Sequence, residues 1–344
     1  MSGHRAFRVL TALLLAAGLG AGAGCAPGGG TGPAPGEQGP AQEPVGRSEP
    51  ANGSPFWVDP NSDAARQVTA YQAQGRTEDA KVLRRISERP AAVWPAWNNH
   101  VADIHRAVRG AASAKRTVVL VAYNIPHRDC GMYSKGGAES AEAYRTWIGS
   151  FAEAIGDAPA IVVLEPDAVP HLVDGCTPAQ HHDERYQLLA EAVDRLKRQP
   201  RTKVYLDAGN PAWLKDPGKL VEPLRRAGAA RADGFSLNVS NFQTTESVTA
   251  FGTELSALLG GAHFVIDTSR NGAGPLAGDG EEAWCNPPGR ALGTPPTEDT
   301  GDERLDAYLW VKRPGESDGT CRGGPAAGTW WPEYALGLAR RAKA

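Results

Sequence analysis

From residue 55 onward the apolar positions gather into short runs separated by turn-rich or helix-patterned stretches. Seven runs have strand length, at 91–97, 117–124, 160–167, 203–209, 234–240, 263–269 and 307–313. Thr117-Val-Val-Leu-Val-Ala-Tyr123 and Ala160-Ile-Val-Val-Leu-Glu165 are almost uninterrupted, as in strands buried on both faces of a parallel sheet. Between them, 138–155 carries Tyr144, Trp147, Ile148 and Phe151 at helical spacing, which makes Trp147 a core residue, and 185–198 repeats the pattern with Leu188, Leu189, Val193 and Leu196. Such alternation, repeated about seven times, predicts an α/β fold built as a single barrel of parallel strands. A doubly wound open sheet is the alternative, but no G-x-G-x-x-G follows any strand, which weakens a dinucleotide site.

The N-terminal part lacks this pattern. His4, Arg5 and Arg8 precede a short apolar run at 9–19 and small residues at 20–24, the three-part layout of an export signal over 1–24. The run is shorter than the ~20 residues needed to cross a bilayer. Residues 25–54 are rich in Gly and Pro and read as a flexible tether, which leaves 55–344 as the folded domain. There are five cysteines, and in an exported chain the odd one needs its own fate. Cys25 follows Ala23-Gly24 directly, where bacterial lipoproteins carry a lipidated cysteine. Ordinary cleavage after Ala21 or Ala23 is the alternative. The expected place of action is extracellular, secreted or held at the membrane through Cys25.

The net charge of −3, with no block of one sign, argues against nucleic acid or an anionic membrane surface as the main partner. The candidate strands instead share an acidic C-terminal end: Asp129 beyond the second, Glu165 and Asp167 on the third, Asp207 on the fourth, Asp267 on the sixth, Glu316 and Asp318 after the last. A parallel barrel assembles its site at that end. No H-E-x-x-H, calcium-loop spacing or Cys/His cluster supports a metal, and His181-His182 reads as surface. No G-x-S-x-G elbow supports a serine nucleophile. Carboxylates accompanied by nine tryptophans suit glycoside hydrolysis, which needs a protonated carboxyl, a second carboxylate and flat sugar platforms, and no cofactor.

The motifs that carry a resemblance are Tyr123-Asn-Ile-Pro-His-Arg-Asp-Cys-Gly131, Val163-Leu-Glu-Pro-Asp167, Tyr205-Leu-Asp-Ala-Gly209, Ile266-Asp-Thr-Ser-Arg-Asn-Gly272, Trp284-Cys285 and Asp306-Ala-Tyr-Leu-Trp-Val-Lys-Arg-Pro-Gly-Glu-Ser-Asp-Gly319. In order and spacing they resemble glycoside hydrolase family 6, the cellulase family, from about residue 55 to the C-terminus. The resemblance implies a distorted, incomplete α/β barrel and inverting hydrolysis of β-1,4-glucan. It makes Asp167 the general acid, Asp318 the base, Asp129 the neighbour that keeps Asp167 protonated, and Tyr123 the residue that crowds the sugar ring. It offers Trp94, Trp213 and Trp284 as platforms, and Asn238, Lys312 and Glu316 as further substrate contacts. It selects the disulfides Cys130–Cys176 and Cys285–Cys321.

Two residues depart from the family pattern. Lys135 stands where the family usually has a serine that handles the catalytic water, with Ser134 beside it, and Asn210 stands where a histidine often follows Asp-Ala-Gly. Asp207 is read as either a site residue or a scaffold carboxylate paired with an arginine, and Asp267 as a scaffold partner of Arg270. With little chain for long roofing loops, the expected activity is an endoglucanase acting as a monomer. An exo-acting cellobiohydrolase and a non-catalytic surface β-glucan-binding lipoprotein are the alternatives.

Overall fold

The computed structural model describes residues 53–278 and 282–343, which belong to one compact unit, Ser48–Ala344. The export signal, most of the tether and Cys25 lie outside the described residues. Six parallel strands run in sheet order β1 to β6: β1 (Val118–Ala122), β2 (Ala160–Leu164), β3 (Thr202–Asp207), β4 (Gly234–Leu237), β5 (His263–Asp267) and β6 (Leu305–Leu309). Three helices precede the sheet, α1 (Asp63–Ala73), α2 (Thr77–Ser87) and α3 (His100–Ala114). The crossovers carry α4 (Ala141–Ile155), the short α5 (Pro170–Val173), α6 (His182–Leu196), α7 (Gly218–Arg226) and α8 (Thr245–Leu258); α9 (Pro332–Arg341) ends the chain. None of the helices among the described residues is long and apolar enough to cross a membrane.

The sheet is a curled, incomplete barrel with six full strands where about seven were expected. The segment at 91–97 provides one rung instead. Val93 N donates to Val119 O at 2.9 Å and Val93 O accepts from Val121 N at 2.9 Å, while Ala92 N donates to Trp310 O at 2.9 Å. The stretch therefore bridges the edge of β1 to the chain leaving β6. Pro90 and Pro95 confine it, because proline donates no ladder hydrogen bond and restricts the residue before it.

Period-two alternation sorts the strand residues. Val118, Leu120 and Ala122 pack outward against the helices, whereas Val119, Val121, Ile161, Val163, Tyr205 and Val265 fill the barrel interior with Phe56, Leu309 and Val311. The amphipathic run at 138–155 becomes α4, whose N-cap Ser140 accepts from Ala143 N at 3.1 Å. Trp147 lies on its buried face, packed on Phe151, as expected. The last strand sits two residues earlier than its apolar run at 307–313, so Trp310–Arg313 leave the sheet as irregular chain leading into the site.

Candidate active site

The strands deliver their polar ends to one rim. Backbone there turns through the left-handed region at non-glycine residues: Glu165 (φ 49°) and Asp167 (71°) after β2, Asn238 (65°) and Ser240 (56°) after β4, and His127, Asp129 and Cys130 (47–58°) in the loop after β1. L-residues hold that conformation at a cost, and such clusters mark sites where side-chain direction is over-determined. They surround a cleft of about 640 Å³ lined by Asp129, Asp167 and Asp318 together with Trp94, Tyr123, Trp213, Trp284 and Lys312.

On one wall, Asp167 extends from β2 through Glu165-Pro166. Glu165 is fully buried, and its carboxyl accepts from Asn124 N at 2.9 Å and Ile125 N at 2.9 Å, which pins β2 to the loop after β1. Burial lifts Glu165 to about 7. Asp167 N donates to Asp207 Oδ2 at 2.9 Å. Burial lifts Asp167 to about 6, with the charges of Asp129 and Asp174 adding to the rise and His171 opposing it. Burial also raises Asp129, against a hydrogen bond from Ser134 N at 2.6 Å. A carboxyl that keeps its proton near neutral pH is what a general acid requires.

The facing wall holds a carboxylate of opposite character. Asp318 is buried, and its Oδ2 accepts from Arg270 Nη1 at 2.8 Å and Asn286 N at 3.0 Å, with Lys312 Nζ 3.6 Å from Oδ1. Two cations and an N–H compensate its negative charge. Arg270 is therefore the partner of Asp318, not of Asp267, which corrects the expected Asp267–Arg270 pair. Asp267 instead accepts backbone N–H groups from Ser240 at 3.0 Å, Ser269 at 2.9 Å and Lys312 at 2.9 Å, tying three loops to the end of β5. Among the described residues Asp207 pairs with no arginine. It accepts from Asp167 N, from Gly209 N at 3.3 Å and from Ser236 Oγ at 3.2 Å, and burial raises it to about 7.

The aromatic residues converge as expected. Trp94 meets Tyr123 edge to face at 5.5 Å, and its Nε1 donates to Val311 O at 2.8 Å. Trp213 is presented by the turn after β3, where Asn210 Oδ1 accepts from Ala212 N and Trp213 N at 3.1 Å each; this is the work of the asparagine at the departing position. Trp284 lies 6.1 Å from Tyr133 across the rim. Two expected contacts are not brought to the cleft. Asn238 is fully buried and spans Asp267 O at 2.9 Å and Gln243 N at 3.2 Å, because its left-handed backbone turns the amide inward. Glu316 is buried in an ion pair with Arg313 at 2.6 Å and, with Trp330, lines a separate cavity. Lys135 is exposed, and it is Ser134 that lines the cleft next to Asp129.

Both expected disulfides are present, Cys130–Cys176 and Cys285–Cys321, closing the loops that carry Asp129 and Asp318. Gly137 lets the first of these loops fold back, since a Cβ there would lie 1.9 Å from Ile125 O and its φ is 98°. Motif reading missed His171 and Asp174. His171 stands one helical turn after Asp167, and its N donates to Asp167 O at 2.9 Å, so the i+4 spacing was the available signal. Asp129, Asp167 and His171 each place one ligand atom within 4.8 Å of the others, a set capable of holding a metal that no local motif announced.

Comparison with known proteins follows the same geometry. The model of the family described as "Glycosyl hydrolases family 6" matches residues 51–342. "Endoglucanase A" of Cellulomonas fimi is 43% identical over 299 residues, covering 86% of this chain; the chain spans 62% of that relative's length. "Endoglucanase 1" of Streptomyces halstedii is 44% identical over 291 residues, covering 81% of this chain and 87% of its own. Among solved structures, the endoglucanase Cel6 of Mycobacterium tuberculosis, in complex with methyl-cellobiosyl-4-deoxy-4-thio-β-D-cellobioside, superimposes with a TM-score of 0.77 at 44% identity, covering 85% of this chain and 99% of that one.

Proposed function

Because this chain belongs to family 6 of the glycosyl hydrolases, we propose that it hydrolyses internal β-1,4-glucosidic bonds of cellulose or a related β-glucan with inversion at the anomeric carbon. The observation that carries this reading is the pairing, in one aromatic-lined cleft, of a carboxyl lifted to about 6 at Asp167 with the doubly ion-paired carboxylate of Asp318. The endoglucanase names of its relatives support the internal mode of attack.

The glucan lies along the cleft over Trp94, Trp213 and Trp284, whose flat faces accept the apolar faces of glucosyl units. Asp167 donates its proton to the glycosidic oxygen as the bond to the anomeric carbon breaks. Asp318 takes a proton from the water that attacks that carbon from the opposite side; inverting enzymes set the two carboxyls about 6.5–9.5 Å apart to admit this water. Asp129 keeps Asp167 protonated, since two adjacent carboxyls do not readily ionise together. Tyr123, whose hydroxyl burial holds neutral, packs on Trp94 and crowds the ring at the cleaved bond. Lys312 holds Asp318 and offers its ammonium to sugar hydroxyls.

The same reading has the protein exported and held at the cell surface through Cys25. Cys25→Ala is then expected to move it from the membrane fraction to the medium, and an unchanged distribution refutes the anchor. The test of function is viscosity loss and reducing-end release on carboxymethyl cellulose, wild type against Asp167→Ala. Fast viscosity loss that the variant abolishes is the expected result. Slow loss with cellobiose as the main product makes the enzyme exo-acting. Binding without turnover on any β-glucan leaves a binding protein.

A further inference from the structure

We propose that Asp129, Asp167 and His171 form a binding site for a divalent transition ion such as Zn²⁺, and that its capture reversibly disables the acid. Three separate segments build it: the loop after β1, the end of β2, and α5. Their ligand atoms all lie within 4.8 Å of one another. Nitrogen and oxygen ligands of tetrahedral zinc sit at about 2.0–2.2 Å from the ion, hence roughly 3.4 Å from each other. Ion capture therefore requires the three side chains to draw closer together than they stand here.

The second and independent feature is the state of the imidazole. His171 is 4% exposed, and its Nδ1 lies 3.3 Å from Asp174 Oδ2. Its other nitrogen, Nε2, is buried without any hydrogen-bond partner among the described residues. A buried polar nitrogen left unsatisfied is costly, and native proteins seldom keep one without a use. Asp174 is itself held by Cys176 N at 2.8 Å and Trp213 Nε1 at 2.9 Å. A carboxylate fixed on one imidazole nitrogen while the other stays free is the arrangement that orients metal-binding histidines.

Donor chemistry names the ion class. One imidazole with two carboxylates favours zinc or copper, whereas magnesium and calcium seek all-oxygen shells. Cys130 and Cys176 also lie against His171, but their disulfide withholds both thiolates. Once coordinated, the Asp167 carboxylate is bound to the ion in place of the proton it must donate. Only this inhibitory half rests on the glucanase reading; ion binding stands apart from it.

The test is isothermal titration of ZnCl₂ into the whole chain, disulfides intact, in a non-chelating buffer without reductant. One ion per chain is expected, with MgCl₂ and CaCl₂ giving no comparable heat. His171→Gln and Asp174→Asn, each checked for native circular dichroism, are expected to weaken binding by about 10–100-fold. The pair His127 and His181, whose ring centroids lie 4.1 Å apart, is the competing cluster. His181→Asn is therefore expected to bind zinc like the wild type. Wild-type affinity in both folded cleft variants, transfer of the loss to His181→Asn, or absence of wild-type binding overturns the site. In parallel, zinc is expected to slow carboxymethyl cellulose hydrolysis, with EDTA restoring it and His171→Gln resisting it. Zinc bound as expected without inhibition overturns the inhibitory half. A wild type inactive even without zinc refutes the glucanase reading while the titration still judges the ion site.

Discussion

Asp129→Asn tests how the acid keeps its proton. One carboxylate oxygen of Asp129 and one of Asp167 lie within 4.8 Å of one another. Two unit charges at that distance repel by ~3.5 kcal/mol at an effective dielectric of about 20 and by ~0.9 kcal/mol in bulk water. These bounds correspond to ~2.5 and ~0.6 pKa units. Asparagine keeps an oxygen to accept the Ser134 N–H and removes the charge, so the loop stays folded while the repulsion disappears. Asp167 is raised, so its protonated fraction is lost as pH rises through about 6. Without the Asp129 charge Asp167 ionises more readily, and the loss begins at lower pH. The alkaline limb of kcat/KM on a soluble cello-oligosaccharide, which in the wild type reports the carboxyl pair jointly, is therefore expected to move down by about one unit at low ionic strength. A limb that stays in place, or moves up, refutes the assignment of Asp129 as the group that holds the proton on Asp167.

Three further outcomes follow from the same geometry. Arg270→Ala leaves the buried Asp318 with Lys312, at 3.6 Å, as its remaining cation beside the Asn286 N–H, so a stability loss of about 3 kcal/mol is expected in urea unfolding; a loss typical of exposed ion pairs, below about 1 kcal/mol, contradicts the buried pairing. Replacing Cys130 and Cys176 with alanine frees a loop with a sequence separation of 46 residues. The chain-entropy cost is about 4 kcal/mol, so a clear fall in Tm together with reduced kcat is expected, and an unchanged melting curve counts against the pair. Trp213→Phe keeps a ring but drops the 2.9 Å bond to Asp174 that sets its angle. A net loss of about 1 kcal/mol raises KM about fivefold while kcat holds; a fall in kcat at constant KM refutes the platform role.

How far the sequence could be read depended on the range of the interaction behind each feature. Six of seven strands, α4, α6 and the position of the Asp167 carboxyl at the end of β2 were legible, because apolar periodicity and the Glu165-Pro-Asp167 block are local. The segment at 91–97 has the composition of a strand, but its prolines and the closing geometry of the sheet reduced it to a rung between β1 and the chain after β6. Asn210 read as a departure from its family, yet the turn it caps presents Trp213. Glu316 belongs to a matching motif and Asn238 follows a strand end, yet both face away from the cleft, since neither motif membership nor position at a strand end sets side-chain direction.

By itself the sequence determined the α/β class, the acidic rim and the chemistry that rim can perform. Residue type and spacing along one strand and its following turn suffice for those. Only the tertiary structure decided which carboxyl is lifted by burial and which is ion-paired, because burial and charge at Asp167 and Asp318 come from segments distant in the chain. Arg270 reaches Asp318 across 48 positions, and Asp207 meets Asp167 N across 40. Only the folded chain, too, brings the imidazole of His171 in α5 within 4.8 Å of carboxylate oxygens of Asp167 and of Asp129 in the preceding loop.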